Sequence, residues 1–275
     1  MSFQPVIPTT GYAGWSFLTR TREAQQQAFD NSGAISRDVD YFQKNIGAVK
    51  SAEDLMADRR LLQVALGAFG LEADINNRYF LQKVLEDGTL DTNALSNRLS
   101  DKRYLAFSKA FGFGDFDTPR TVLSDFSNEI TSAYTNAQFE VAVGAQDPNI
   151  RLAMGLDRAL SEIAELSTTD NGRWFTVMGQ PPVRAVFEAA LGLPGSIGAL
   201  DLDKQLTAFR EKAEARFGDS EIAQFSDPVK REELVRLFLV RAELSGSPTR
   251  SVGSSAALTI LQNSGGVSGI LGALR

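Results

Sequence analysis

The stretch ADRRLLQVALGAFGL, Ala57 to Leu71, returns as SDKRYLAFSKAFGF, Ser100 to Phe113, and the fold is read outward from this return. In each copy an aspartate, Asp58 or Asp101, precedes an apolar run. A short carboxylate there accepts hydrogen bonds from the free amides of a first helical turn. Leu61, Leu62, Ala65, Leu66 and Phe69 recur at three and four residues, as do Tyr104, Leu105, Ser108 and Phe111. That is the period of a helix face. Gly70 and Gly112 follow as left-handed stops, each trailed by an apolar residue, Leu71 or Phe113. A third echo, VRAVFEAALGLP, sets Gly192 and Leu193 in the same relation. The copies are unevenly spaced, so the phrase reads as a packing device in a degenerate duplication and not as one unit of a regular solenoid.

Around the phrases the pattern stays helical. Residues 1–14 hold no charge and carry Pro5, Pro8, Gly11 and Gly14, which predicts an extended or flexible lead. Helices are expected from Trp15 to a stop at Asn31-Ser32-Gly33, and over Ser36–Val49. Ser51 stands three residues before Asp54, a capping-like start for a short turn. The longest candidate runs from Arg120 to Val143, roughly 35 Å at about 1.5 Å per residue. Asp147-Pro148 and Asp227-Pro228 open further helices with an acidic cap and a proline in the first turn. WFTVM, Trp174 to Met178, is the one stretch that reads equally as strand or helical turn. The prediction is all-α: a multi-helix array with a long central helical hairpin and flexible termini. Its segments are a lead at 1–14, a helical region with the repeat at 15–118, a hairpin and C-terminal helical region at 119–244 that can form one domain with it, and a tail at 245–275. The tail holds seven serines, six glycines and two charges.

Composition narrows the chemistry. The chain of 275 residues carries a formal net charge of -6 with no basic tract, which disfavours nucleic acid and anionic membranes as main partners. No run approaches the roughly twenty apolar residues of a membrane span, and the N-terminus lacks the pattern of a standard signal peptide. Histidine and cysteine are both absent. Imidazole and thiolate zinc sites, disulfides and histidine-based catalysis are therefore excluded. Carboxylates, lysine, tyrosine or an oxygen-bound cation remain.

No motif fills that gap. Glu162 and Glu165 lie three apart on one helix, which a solvated face explains as well as a glycosidase pair does. Asp115 and Asp117 in GFGDFDTP lack the ligand spacing of a calcium loop, and AFGFG follows a helix where a dinucleotide fingerprint follows a strand. No cofactor is expected. Asp58, Asp101, Asp147 and Asp227 read as caps. Arg60 and Arg103 sit unfavourably against the helix dipole, so they read as partners in structural ion pairs, with a binding patch as the alternative. Trp174 and Phe175 read as core before ligand platform.

The segment from about Ser51 to Phe113, with ALGLP and FSDPVKREELVRLFLVR further on, resembles the bacterial family called domain of unknown function 1217. The resemblance implies an alpha-proteobacterial setting beside flagellar genes and carries over no catalytic residue. Together with the helical body and the charge-poor ends, it leads to the expectation of a non-enzymatic helical protein supporting flagellar assembly or function, with a flagellar component or the export machinery as partner. Cytoplasmic and exported locations both fit, and partner identity and oligomeric state stay open. Trp15, Phe17 and Leu18 at one end, with Leu258, Ile260 and Leu261 at the other, are the expected anchors. A carboxylate-based hydrolase of cell-wall glycan and a helical binding module unrelated to motility are the alternatives.

Overall fold

The computed structural model describes residues 3–99 and 101–246. Every regular element among them is helical, and none is a strand. No described helix is long and apolar enough to cross a membrane. The described residues divide into two compact units between Gly155 and Leu156, so the break expected at 118–119 lies inside the first of them.

The first unit holds α1 (Gly11–Asp30), α2 (Gly33–Asn45), α3 (Ala52–Ala57), α4 (Arg59–Ala68), α5 (Arg78–Glu86), α6 (Leu95–Arg98), α7 (Arg103–Phe111) and α8 (Phe126–Gly144). The helix α4, which is the first phrase, forms its centre and packs chiefly on α8 and α2. Leu61, Leu62, Val64, Ala65 and Leu66 are no more than 2% exposed. Full burial of each large side chain contributes roughly 1.5–3 kcal/mol. The second phrase, α7, meets the first through aromatic edges. Phe107 stands 5.5 Å from Phe69 and 5.1 Å from Phe111, and Phe111 stands 5.1 Å from Phe126.

Two expectations for this unit are corrected. The lead is strapped to the body, not loose. The Gln25 side chain accepts from the Val6 amide at 2.6 Å and donates to the Val6 carbonyl at 3.1 Å, while Gln146 donates to the Pro5 carbonyl. Those bonds satisfy extended backbone that would otherwise need water, and α1 starts at Gly11, ahead of Trp15. The Arg120–Val143 helix is also broken. A 3-10 turn spans Arg120–Val122, Leu123 is extended, and α8 starts at Phe126. Buried Thr121 donates to the Val49 carbonyl at 2.6 Å, which fastens the turn to a distant segment. At 19 residues α8 is ~28 Å long, short of the ~35 Å expected.

The helix α9 (Pro148–Ala164) runs across the division between the units. The second unit continues with α10 (Asp170–Gly179), α11 (Pro181–Leu191), α12 (Leu202–Phe217) and α13 (Pro228–Gly246). WFTVM is helical. Thr169 accepts from the Gly172 amide at 3.2 Å as the cap of α10, and Trp174, Val177 and Met178 share its buried face. Trp174 is fully buried, with Phe187 at 5.5 Å and Phe209 at 5.9 Å, and its indole donates to the Ser220 carbonyl at 2.9 Å. The third echo is α11, which packs chiefly on α13.

Candidate functional site

The phrase residues act first on their own helices. Asp58 accepts from the amides of Arg60 and Leu61 at 2.9 and 3.0 Å, and from the Tyr41 hydroxyl at 2.7 Å. Partial burial works to raise its pKa, but Tyr41 and the two amides outweigh it and hold the carboxyl below 3.8. Arg60 pairs with Asp38 on α2 at 2.9 Å and lies over the Tyr41 ring, 4.5 Å from its centroid. In the second copy Asp101 accepts from the Arg103 amide at 3.0 Å and pairs with the same residue's guanidinium at 2.6 Å. That guanidinium also donates to the Gly70 carbonyl, so one phrase grips the end of the other. Asp147 accepts from the amides of Asn149 and Ile150, and Asp227 from that of Val229.

The glycine stops share a left-handed backbone, with φ of +67° at Gly70, +68° at Gly112 and +67° at Gly192. Gly70 and Gly192 close the paired hydrogen bonds of a Schellman turn, Leu71 to Leu66 and Leu193 to Glu188, both 2.9 Å. Gly112 makes the simpler bond back to Ser108 at 2.9 Å, and the chain then leaves in a new direction.

The other candidates scatter. Leu18 is 1% exposed, so it is a core residue and not an anchor; Trp15 and Phe17 are half-buried. Leu258, Ile260 and Leu261 lie outside the described residues. Glu162 and Glu165 are exposed on α9. Among the described residues no three acidic groups gather so as to hold a metal ion. Asp54, Asp58, Asp87 and Asp101 all have pKa values moved downward, whereas a general acid needs the reverse. Tyr104 is pushed up to about 12 by burial and by its hydrogen bond to Asp74, which holds the phenol protonated as a donor.

Where α7 ends, the Gly112–Leu123 loop and the Thr89–Leu90 turn enclose an open hollow of about 650 Å³. Leu90, Phe116, Pro119 and Leu123 supply its apolar lining, and Lys109, Arg120 and Asp115 its charges. Leu90 is 73% exposed and Phe116 55%. Asp115 is committed to the scaffold: it accepts from the Thr89 amide at 2.5 Å, the Thr89 hydroxyl at 2.8 Å and the Leu90 amide at 3.2 Å. Below it two backbones cross. A Cβ on Gly114 would lie 2.3 Å from the Glu86 carbonyl oxygen and 2.4 Å from the Gly88 nitrogen. Sequence reasoning weighed Asp115 as a cation ligand and missed Leu90, Lys109, Phe116, Arg120 and Leu123. The available signal was large apolar residues in glycine- and proline-marked loops, off any helical period.

Comparison with known proteins agrees with this architecture. The model of a family described as "Protein of unknown function (DUF1217)" matches residues 68–230, which takes in the second and third phrases and only the end of the first. A crystal structure of an Agrobacterium tumefaciens protein superposes with a TM-score of 0.69 at 24% identity, covering 89% of this chain and 100% of that one. At that identity the likeness speaks to fold alone. A search of curated proteins finds no match.

Proposed function

The chain belongs to the DUF1217 family of proteins of unknown function, and from that premise we propose that it is a non-enzymatic helical protein acting through protein contacts in support of flagellar assembly or function. The observation that carries the reading is the hollow. It gathers exposed apolar side chains on a fixed scaffold, while its carboxylate is consumed by three local hydrogen bonds. Exposed apolar side chains gathered in one concavity suit a contact surface. The missing imidazole and thiol and the downward-shifted carboxylates favour contact over acid-base work. The flagellar setting comes from the family resemblance.

The test is a clean deletion with complementation from a plasmid. Swimming on soft agar is expected to fall and to return with the intact gene. Photo-crosslinking from an unnatural residue at position 116 is expected to trap a discrete protein adduct. Unchanged swimming would remove the motility setting in favour of an unrelated binding module. Fractionation beside a strain lacking the flagellar export apparatus would separate an exported component from a retained adaptor.

A further inference from the structure

We propose that the hollow beside the Gly112–Leu123 loop docks an acidic, apolar peptide segment of a partner protein. The inference rests on the protein-contact reading above and names the partner's chemistry. Apolar side chains of the segment seat against Leu90, Phe116 and Leu123, and its carboxylates meet Lys109 and Arg120.

The apolar half of the argument is exposure. Leu90, Phe116 and Leu123 are 73%, 55% and 48% exposed in one lining, and the adjoining Val122 is 44% exposed. Single exposed apolar residues are ordinary; here three of them share one concavity. The charged half is a mismatch within the lining. Asp115 has given its oxygens to Thr89 and Leu90. Arg120 reaches a carboxylate only at 3.5 Å, on Glu129, with both side chains more than a third exposed. Lys109 is exposed and has no ion pair among the described residues. The nearby exposed acids, Asp117 in the loop and Asp125 just after it, lie outside the lining. The lining thus sets two cations, one of them only loosely paired, against a single carboxylate, Asp115, in a chain whose net charge is -6. Such a spot selects an acidic segment and orients it.

The site is also built in advance. The Gly88–Gly114 crossing, the Thr121 bond to Val49 and the ring contact of Phe111 with Phe126 fix the loop on the core. Less ordering is then lost on binding. A second copy of the chain fits less well. An isologous contact through this patch would bring Lys109 and Arg120 against their own images.

The experiment uses the full chain and two fluorescent peptides sharing a Leu-Phe-Leu centre, one flanked by glutamates and the other by lysines. Fluorescence anisotropy is expected to show the glutamate peptide binding about tenfold tighter or more, with the difference shrinking as salt rises. The Lys109→Glu, Arg120→Glu double variant should reverse the order, and Leu90→Ser with Phe116→Ser should weaken both peptides while helical circular dichroism stays unchanged. Equal affinity for the two peptides, no binding of either, or indifference to the charge reversal would overturn the proposal. So would sedimentation showing a dimer that Phe116→Ser dissolves, because the occupant would then be a second copy. Full rescue of a swimming-defective deletion strain by the Leu90→Ser, Phe116→Ser variant would also overturn this site, while leaving the protein-contact reading standing.

Discussion

The two copies of the phrase start alike and end in different work. In α4 the aspartate caps two amides, the arginine reaches a neighbouring helix, and the apolar face is buried almost completely. In α7 the aspartate caps one amide and mostly holds its own arginine, and the helix buries Phe107, Ser108 and Phe111. After the glycine, the first copy turns tightly into a 3-10 turn at Glu72–Asp74, while the second opens into the loop that builds the hollow. The shared residues encode start, stop and helix. What lies between and after them assigns one copy to the core and the other to a surface.

The largest expected effect comes from cutting the contact between the copies. Phe107 is fully buried and edge-on to both Phe69 and Phe111. Phe107→Ala is expected to cost about 3–5 kcal/mol in urea unfolding. A loss below about 1 kcal/mol would mean the copies are stable apart. Next comes Gly114→Ala, whose new methyl meets the backbone of Glu86 and Gly88. It should cost about 2–3 kcal/mol and disturb peptide binding at the hollow. Retained binding with retained stability would show the crossing to be looser than drawn.

The caps give a finer contrast. Asp58→Ala should cost about 1–2 kcal/mol, because it strips two amides and Tyr41 of their acceptor. Asp101→Ala should cost less than about 1 kcal/mol, since its pair is exposed to solvent. The folded-state pKa is depressed at both sites. At Asp101 the cause is the Arg103 side chain; at Asp58 hydrogen bonds outweigh burial. Each contribution is therefore whole above the unfolded value of 3.8 and is lost as pH falls through the lower folded value. Stability measured from pH 6 downward should fall below about pH 4, and less steeply in Asp58→Asn and in Asp101→Asn than in the parent. A slope unchanged from the parent in either variant would show that its carboxylate is not held below 3.8 by the cap.

Local signals made most of the fold legible. The capping box at Ser51 and Asp54, the aspartate caps and the left-handed glycines each write their structure within five or six residues. The strapped lead does not, because Gln25 meets Val6 across 19 residues of chain. The break before α8 depends on Thr121 finding the Val49 carbonyl 72 residues away. The polar stretch STTDNG, Ser167 to Gly172, supplies the Thr169 cap of α10, the helix that holds WFTVM. The hollow was the least legible of all. Leu90, Phe116 and Leu123 share no period, and the Gly88–Gly114 crossing and the Asp115 bonds to Thr89 and Leu90 bring their loops together.

The smallest effect sharpens the comparison most. Leu66 of the first phrase is fully buried, whereas Leu90, beside the end of the second, is 73% exposed. Leu90→Ser removes apolar surface that already faces water, so its cost to folding should stay within about 0.5 kcal/mol. Leu66→Ala opens a cavity in a close-packed core and should cost about 2–5 kcal/mol. If Leu90→Ser instead destabilises by more than about 2 kcal/mol, the side chain supports the loop, and the hollow belongs to the scaffold as α4 does. A negligible cost to folding together with weaker binding of the glutamate-flanked peptide would leave Leu90 with no role but contact. The chain would then be keeping a large apolar side chain in water because a partner covers it.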